Sequence, residues 1–150
     1  MLQIIRTNAS HPEFIQLVEK LDRYLAVTDG DDHAFYHQYN GILDIPHVVL
    51  AMEGEIAIGC GAIKAIDTDA MEVKRMFVEP DQRGKGIAGL ILQELEKWTL
   101  ELGKSKCLLE TGLQQPEAIR LYEKSGYAKI PNYGQYAGVE NSLCFEKRLT

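Results

Sequence analysis

Apolar residues recur every three or four positions between residues 87 and 102, which is the period of one helical face. They are Ile87, Leu90, Ile91, Leu95, Trp98 and Leu102. The same period follows Pro12 and, over a shorter stretch, Pro116, and a proline suits the first turn of a helix. The pattern therefore predicts amphipathic helices in these three places.

The first helix has further signals at its start. Ser10 and Glu13 have the spacing of a capping box, in which each side chain bonds the backbone N–H of the other residue. The acidic stretch of residues 28–32 then breaks the apolar pattern. A second, short helix is predicted over residues 33–40, ending at Gly41.

Short apolar runs bounded by turn residues predict strands. The runs cover residues 2–6, 47–52, 55–66, 71–78, 106–111, 127–130 and 142–149. Only short polar turns separate the second, third and fourth runs, so these strands are expected to form antiparallel hairpins. The long helix joins the fourth run to the fifth, which makes those two strands parallel through one right-handed crossover. Gly59 and Gly61 lie inside the third run and indicate a bulge or a site of close packing.

These elements predict an α/β fold in a single domain over residues 1–150. Its central sheet is mixed and mostly antiparallel, with one parallel βαβ crossover and helices on both faces. A chain of 150 residues, 45% of them hydrophobic, is long enough for one substantial core.

The charge balance narrows the choice of partners. A formal net charge of −6 argues against a nucleic-acid surface, because such a surface needs clustered lysine and arginine. No apolar run approaches the length of a membrane span, and no N-terminal segment resembles a signal peptide. We therefore expect no membrane partner and a cytoplasmic location. A homodimer is compatible with the sequence.

The cysteines and histidines do not predict a metal site or a disulfide framework. Cys60, Cys107 and Cys144 are widely spaced in apolar sequence, so we expect buried, reduced thiols. His33 and His37 have the spacing of two metal ligands on a helix, but the sequence designates no third ligand. We predict that no metal binds.

The aspartates near residue 30 leave two interpretations open. Asp29, Asp31 and Asp32, with Tyr24 and Tyr36, could line an entrance that attracts a cationic amine. Alternatively, they only cap the short helix that follows.

A basic, glycine-rich loop lies between the fourth predicted strand and the long helix. Gly84, Gly86 and Gly89 let the backbone approach a ligand, and Arg83 and Lys85 add positive charge. The first turn of the helix contributes unpaired N–H groups and the positive end of its dipole. We therefore predict an anion site, with a diphosphate as its natural ligand.

Residues 84–89 also fit the dinucleotide fingerprint G-x-G-x-x-G, and Glu110 lies about where a ribose-binding acid is expected. The context disfavours this interpretation, because residues 79–83 separate the strand from the first glycine and few residues remain for further βαβ units. A P-loop is excluded, since no Gly-Lys-Ser/Thr follows the glycines.

The arrangement Arg83-x-x-Gly86-x-Ala88 matches the signature Q/R-x-x-G-x-G/A of the GNAT superfamily of N-acetyltransferases. The preceding residues 74–80 and the later residues 116–127 also resemble that family's neighbouring motifs. The resemblance covers roughly residues 48–127, with three motifs in the right order. It implies the GNAT fold and acetyl-CoA as co-substrate.

The resemblance also implies a set of cofactor contacts. In the family the loop holds the pyrophosphate of acetyl-CoA, and two parallel strands splay apart so that the pantetheine arm lies between them. Carried over to this chain, the cofactor-binding residues are Met76, Phe77, Val78, Arg83, Gly84, Lys85, Gly86, Ile87, Ala88 and Gln115. Gln115 stands where many members have asparagine, a departure that keeps the same donor and acceptor groups.

Two residues are implied in catalysis. Glu72 lies eleven positions before Arg83, where several members carry a general-base glutamate. It would help an ammonium lose its proton through water, through a raised pKa or by charge attraction. Tyr122 occupies the place of the tyrosine beside the sulfur, and a phenol of pKa about 10 suits a leaving thiolate of pKa about 8.5. The plainer interpretations are a solvent-facing strand glutamate and a tyrosine packed into the core.

The predicted function is transfer of acetyl from acetyl-CoA to a primary amine by direct attack on the thioester, which makes the chain an N-acetyltransferase. The sequence does not identify the acceptor, although a small molecule is favoured over a protein. Two alternatives are a non-catalytic acyl-CoA-binding sensor and, less favoured, a nicotinamide-dinucleotide-binding protein.

Overall fold

The computed structural model describes residues 1–29 and 45–150. The strands are β1 (Leu2–Thr7), β2 (His47–Glu53), β3 (Ile56–Ala65), β4 (Ala70–Val78), β5 (Lys106–Gly112), β6 (Ala128–Ile130) and β7 (Ser142–Arg148). The helices in these ranges are α1 (Pro12–Asp29), α2 (Ile87–Glu101) and α3 (Pro116–Lys124). Each predicted strand and the three amphipathic helices are confirmed, while the short helix predicted over residues 33–40 lies outside the described residues.

The strands form one seven-stranded sheet in the order β1-β2-β3-β4-β5-β7-β6. Strands β1 to β4 are successive antiparallel neighbours, and β4 and β5 run parallel because α2 connects them. Strand β7 lies antiparallel between β5 and β6. The predicted mixed sheet with one parallel crossover is confirmed. It contains a single parallel pair among the described strands, unlike the doubly wound parallel sheet of dinucleotide-binding proteins.

The two faces of the sheet carry separate cores. On one face, buried residues of α1 pack with β2, β3 and the Phe77 side chain of β4. On the other, α2, α3 and Tyr127 pack with strands from β2 to β7. The predicted placement of helices on both faces is confirmed, and β4 contributes side chains to both cores.

Strand β3 is shaped for close packing by α2. A Cβ placed at Gly59 would lie 2.9 Å from Cδ1 of Ile91, and one at Gly61 would lie 2.9 Å from Cδ1 of Leu95. The pairing of β3 with β2 also skips Ile58, the residue before Gly59. Both expectations for these glycines are therefore confirmed, because the strand is irregular and the helix lies directly against it.

The capping box predicted for α1 is wrong. The Ser10 hydroxyl bonds Asn8, and His11 caps the helix instead, with its Nδ1 accepting the backbone N–H of Glu13 at 3.1 Å. The Glu13 carboxylate accepts the backbone N–H of Ala57 at 2.8 Å. This hydrogen bond to strand β3 replaces the predicted bond to the backbone of Ser10. It also links α1 to the sheet.

Candidate active site

The parallel strands β4 and β5 separate partway along their length. Within the described residues, their ladder runs from Ala70 and Lys106 to Val73 and Leu109 and then ends. Strand β4 continues to Val78 beside β3, whereas β5 continues beside β7. The separation leaves the β5-facing edge of the last five residues of β4 open to a ligand.

A cleft of about 940 Å³ follows this gap. That volume is near the upper end of the ~300–1,000 Å³ typical of small-molecule sites. The walls are α1, β4 from Glu72 onwards, the loop into α2, the end of β5, α3 and Tyr136. Of the residues predicted for the site, the cleft is lined by Glu72, Met76, Phe77, Val78, Arg83, Gly84, Gly86, Ile87, Ala88, Gln115 and Tyr122.

The loop between β4 and α2 has the conformation that the glycines allow. Gly84 and Gly86 have φ values of 81° and 79°, in the left-handed region that favours glycine. A Cβ at either position would meet no atom within 4 Å, so no described atom fills the space beside them. Gly86 precedes α2, whose first turn has no side-chain cap and no acidic residue. The loop therefore presents free helix N–H groups to the cleft, as an anion site requires.

The two cations of the loop have different positions. Arg83 folds back onto the cleft wall, where its Nε donates to the carbonyl of Val78 at 2.9 Å and its guanidinium lies 5.4 Å from the ring centroid of Tyr24. Lys85 is exposed and donates to Oε1 of Gln82 at 3.0 Å. Arg83 lies at the cleft, whereas the side chain of Lys85 does not line it.

Glu72 is buried on the β4 face that α1 covers. It is 7% exposed, so the interpretation as a solvent-facing strand residue is wrong. One carboxylate oxygen accepts the hydroxyl of Tyr133 at 2.6 Å, and the other lies 3.4 Å from the ammonium of Lys74. Burial and the nearby Glu72 charge raise the pKa of Tyr133 above its ordinary value, which keeps this hydroxyl a donor.

Tyr122 is also buried, and its ring lies 5.9 Å from that of Tyr127 and 6.3 Å from that of Phe145. Burial, and next the charge of Glu110, raise the pKa of Tyr122 above its ordinary value. The side chain is therefore both a core residue and part of the cleft wall. It is a weaker acid than an exposed phenol.

Sequence reasoning missed two buried cations. Lys74 and Arg75 line the cleft although they belong to a strand, with side chains only 8% and 3% exposed. A signal was present in the sequence, since two adjacent cations lie inside a predicted strand. Tyr133, which lies in the loop between β6 and β7, contacts Glu72 directly.

Arg75 sits at a bulge in β4. Its φ is 61°, the only positive value for a non-glycine residue in the described chain, and pairing with β3 skips from Lys74 to Phe77. The thiol of Cys60 donates to the Arg75 carbonyl at 3.2 Å. The extra residue turns the Arg75 side chain towards α1 and the cleft.

Several other predictions can be placed against the structure. All three cysteines are buried free thiols, as expected, and burial raises the pKa of Cys60 to about 12. Across residues 1–29 and 45–150, no group of three or more histidine, cysteine or acidic side chains could hold a metal ion. Over the same ranges, no helix combines the length and apolarity needed to cross a membrane. The acidic side chains proposed for the entrance lie outside the described part.

Comparisons with known proteins agree with this geometry. The model of the acetyltransferase (GNAT) family matches residues 14–127. The IAA acetyltransferase of Azospirillum brasilense is 39% identical over 150 residues, covering 97% of each chain. A structure from Klebsiella pneumoniae described as an acyl-CoA N-acyltransferase has a TM-score of 0.84 and 26% identity, covering 100% of this chain and 99% of that one. A GNAT family acetyltransferase from Elizabethkingia anophelis with acetyl-CoA bound shares the fold, with a TM-score of 0.68, 18% identity and coverage of 99% and 98%.

Proposed function

The chain belongs to the acetyltransferase (GNAT) family, and on that premise we propose that it transfers acetyl from acetyl-CoA to a primary amine by direct attack on the thioester. One observation carries the proposal: a single cleft is bounded by a helix start without a side-chain cap and by the buried side chains of Glu72 and Tyr122. A diphosphate-bearing thioester and a proton-transfer pair are what this reaction needs in one place.

We propose one orientation of the cofactor in the cleft. Its diphosphate would accept N–H groups of Gly86, Ile87 and Ala88, where the dipole of α2 favours negative charge. The pantetheine arm would then follow the open edge of β4 past Met76, and its amides would pair with the strand backbone left without a β5 partner. This orientation places the thioester towards the point where the two strands separate.

The amine must lose a proton before it can attack. With a pKa of about 10.4, only about one alkylamine in 2,500 is neutral at pH 7, at a cost of about 4.6 kcal/mol. Glu72 attracts the ammonium and accepts its proton directly or through water. Lys74 and Tyr133 also contact this carboxylate, so the incoming ammonium would share its charge with them.

The leaving group is the thiolate of coenzyme A. The amine nitrogen forms a bond to the thioester carbonyl carbon, the C–S bond breaks, and the sulfur takes up a proton. Tyr122 is the proposed donor to that sulfur. Its raised pKa favours a hydrogen bond that stabilises the thiolate over full proton transfer in the transition state.

Thiol release from acetyl-CoA, measured across a panel of primary amines, tests this function. We expect acetyl-CoA to raise the melting temperature more than NADH does, and at least one amine to accelerate thiol release. Cofactor binding without acceleration by any amine would favour the sensor alternative. A larger thermal shift with NADH would contradict the proposal altogether.

A further inference from the structure

Arg75 is a buried cation that neither the fold nor the proposed reaction explains. It lies at the bulge of β4, just beyond the last rung shared with β5, and its side chain is 3% exposed. It lines the same cleft as Leu21 and Tyr24 of α1. Burying a guanidinium is unfavourable unless its donors find partners.

The hydrogen bonds of Arg75 leave one edge of the guanidinium unused. Nη1 donates to Oδ1 of Asp22 at 2.8 Å. Nε is buried and has no hydrogen-bond partner within the described residues. Nε and Nη2 form the side-on edge of the fork, and two parallel N–H groups on one edge match the two oxygens of a carboxylate.

Arg6, whose hydrogen bonds serve the fold, is a comparison for Arg75. Its Nε donates to Glu94, and its Nη1 and Nη2 donate to the two oxygens of Glu101, at 2.7, 2.7 and 2.8 Å. All three nitrogens are used, although the Arg6 side chain is 28% exposed. Arg75 is far more buried, and Nη1 is its one nitrogen with a hydrogen-bond partner among the described residues, so its remaining edge is suited to a ligand.

The charges around Arg75 define what that ligand carries. Asp22 compensates Arg75, and Glu72 lies 3.4 Å from the ammonium of Lys74, so these four charges balance one another. A ligand with one positive and one negative group keeps that balance. Its ammonium would face Glu72 and its anion would face Arg75.

We propose that the acceptor is a small amino carboxylic acid whose carboxylate binds the Nε–Nη2 edge of Arg75 while its amine is presented to the thioester near Glu72. This inference rests on the proposed N-acetyltransferase function and specifies its substrate class. The reaction is unchanged: the amine nitrogen acquires the acetyl group, coenzyme A leaves as the thiol, and the carboxylate takes no part in bond making.

Matched pairs of the common amino acids and their carboxamides test the proposal, because the two members have nearly the same shape and only the acid carries the negative charge. Thermal shifts are measured on the enzyme saturated with coenzyme A, and thiol release is measured with acetyl-CoA. We expect at least one acid to raise the melting temperature more than its amide and to have a kcat/KM at least ~10-fold higher, as expected for a hydrogen-bonded charge pair.

Two variants test whether the preference for the acid over the amide depends on Arg75. Arg75→Asn suits the left-handed backbone at this position, and it should lower the acid-to-amide ratio of kcat/KM at least ~10-fold, mainly through KM. Asp22→Asn removes the competing anion and should preserve or increase the ratio. If Arg75→Asn fails to fold, the wild-type pairs and Asp22→Asn still decide the question.

The two proposals fail in different ways. If no acid exceeds its amide in binding or turnover, or if Arg75→Asn keeps the wild-type ratio, the inference is overturned even when other amines are acetylated. If the wild-type protein neither binds acetyl-CoA nor releases thiol with any amine, the N-acetyltransferase function itself is overturned.

Discussion

Tyr122 illustrates how one side chain serves packing and chemistry together. Its ring belongs to the core beneath α2, while its edge lines the cleft. The same burial that fixes the ring raises the pKa of the hydroxyl. Burial therefore holds the Tyr122 hydroxyl in place but makes it a weaker acid. We expect it to contribute less to catalysis than a well-matched acid would.

We predict that Tyr122→Phe lowers kcat about 100-fold, at the lower end of the ~10²- to 10⁴-fold range of catalytic acids. The substitution removes one oxygen and keeps the ring, so the acetyl-CoA-induced thermal shift should remain. Steady-state kinetics with the best acceptor give the measurement. Retention of more than about half of the wild-type kcat would remove Tyr122 from the mechanism, provided that chemistry limits the rate.

At the residue scale, the sequence identified what the family motifs cover and missed what only packing creates. Glu72 and Tyr122 were predicted because they occupy motif positions, and both line the cleft. Arg75 was missed because its side chain is directed into the cleft by a bulge and by Asp22 on another helix. Neither the bulge nor that helix contact is encoded in a local pattern.

The loop and the start of α2 together form the predicted anion site, and the variant Gly86→Glu tests this site. A side chain and a negative charge would enter the open space beside the helix N–H groups, so acetyl-CoA affinity should fall at least ~100-fold. Gly103→Glu is a matched control, since Gly103 follows the other end of α2 with φ 83° and open space around it. Both variants carry similar backbone strain, but only Gly86→Glu should lose cofactor binding by titration.

Unchanged acetyl-CoA affinity in Gly86→Glu would show that the loop is only a turn. Equal losses in Gly86→Glu and Gly103→Glu would instead mean that backbone strain at α2, and not the anion site, controls binding.

The packing of α2 on β3 makes a second prediction at this scale. A Cβ at Gly61 would lie 2.5 Å from Sδ of Met76 and 2.9 Å from both Ile91 Cγ2 and Leu95 Cδ1. We expect Gly61→Ala to lower the free energy of unfolding by about 1–3 kcal/mol. Gly89→Ala, in α2 with nothing within 4 Å, should leave it unchanged or raise it by up to about 1 kcal/mol.

Denaturant unfolding without cofactor compares the Gly61 and Gly89 variants. An unchanged free energy of unfolding in Gly61→Ala would mean that α2 and β3 adjust easily, and that the glycine is not needed for their close approach.

Elements were predicted well from the sequence because periodicity and turn residues act locally. The capping box failed for the opposite reason. Glu13 has the right spacing for a local bond, but β3 offers it the N–H of Ala57, a partner that appears only when the sheet has formed.

The buried tyrosines of the folded molecule should keep their protons at alkaline pH. Burial is the leading cause that raises the pKa of Tyr122, Tyr127, Tyr133 and Tyr136. Below about pH 10 the folded and unfolded chains both keep these protons, so their contribution to stability is constant. Above that pH the unfolded chain loses them first, and the free energy of unfolding should fall as pH rises.

The ionisation of the tyrosines is measured by phenolate absorbance as a function of pH, in native and in denatured protein. We expect Tyr122, Tyr127, Tyr133 and Tyr136 to ionise only as the protein unfolds, and one fewer phenol to do so in Tyr133→Phe. Reversible ionisation of these tyrosines near pH ~10, without unfolding, would contradict the buried positions of their rings.

The short ladder between β4 and β5 also bears on how the molecule opens. Four residue pairs join a half-sheet of β1 to β4 to a half-sheet of β5, β7 and β6, whereas β5 and β7 share seven. Amide hydrogen exchange should therefore show the two halves as separate cooperative units in the empty protein. A ligand that bridges the gap would contact both halves, so acetyl-CoA should merge their opening into one event and slow exchange on strands that it never touches.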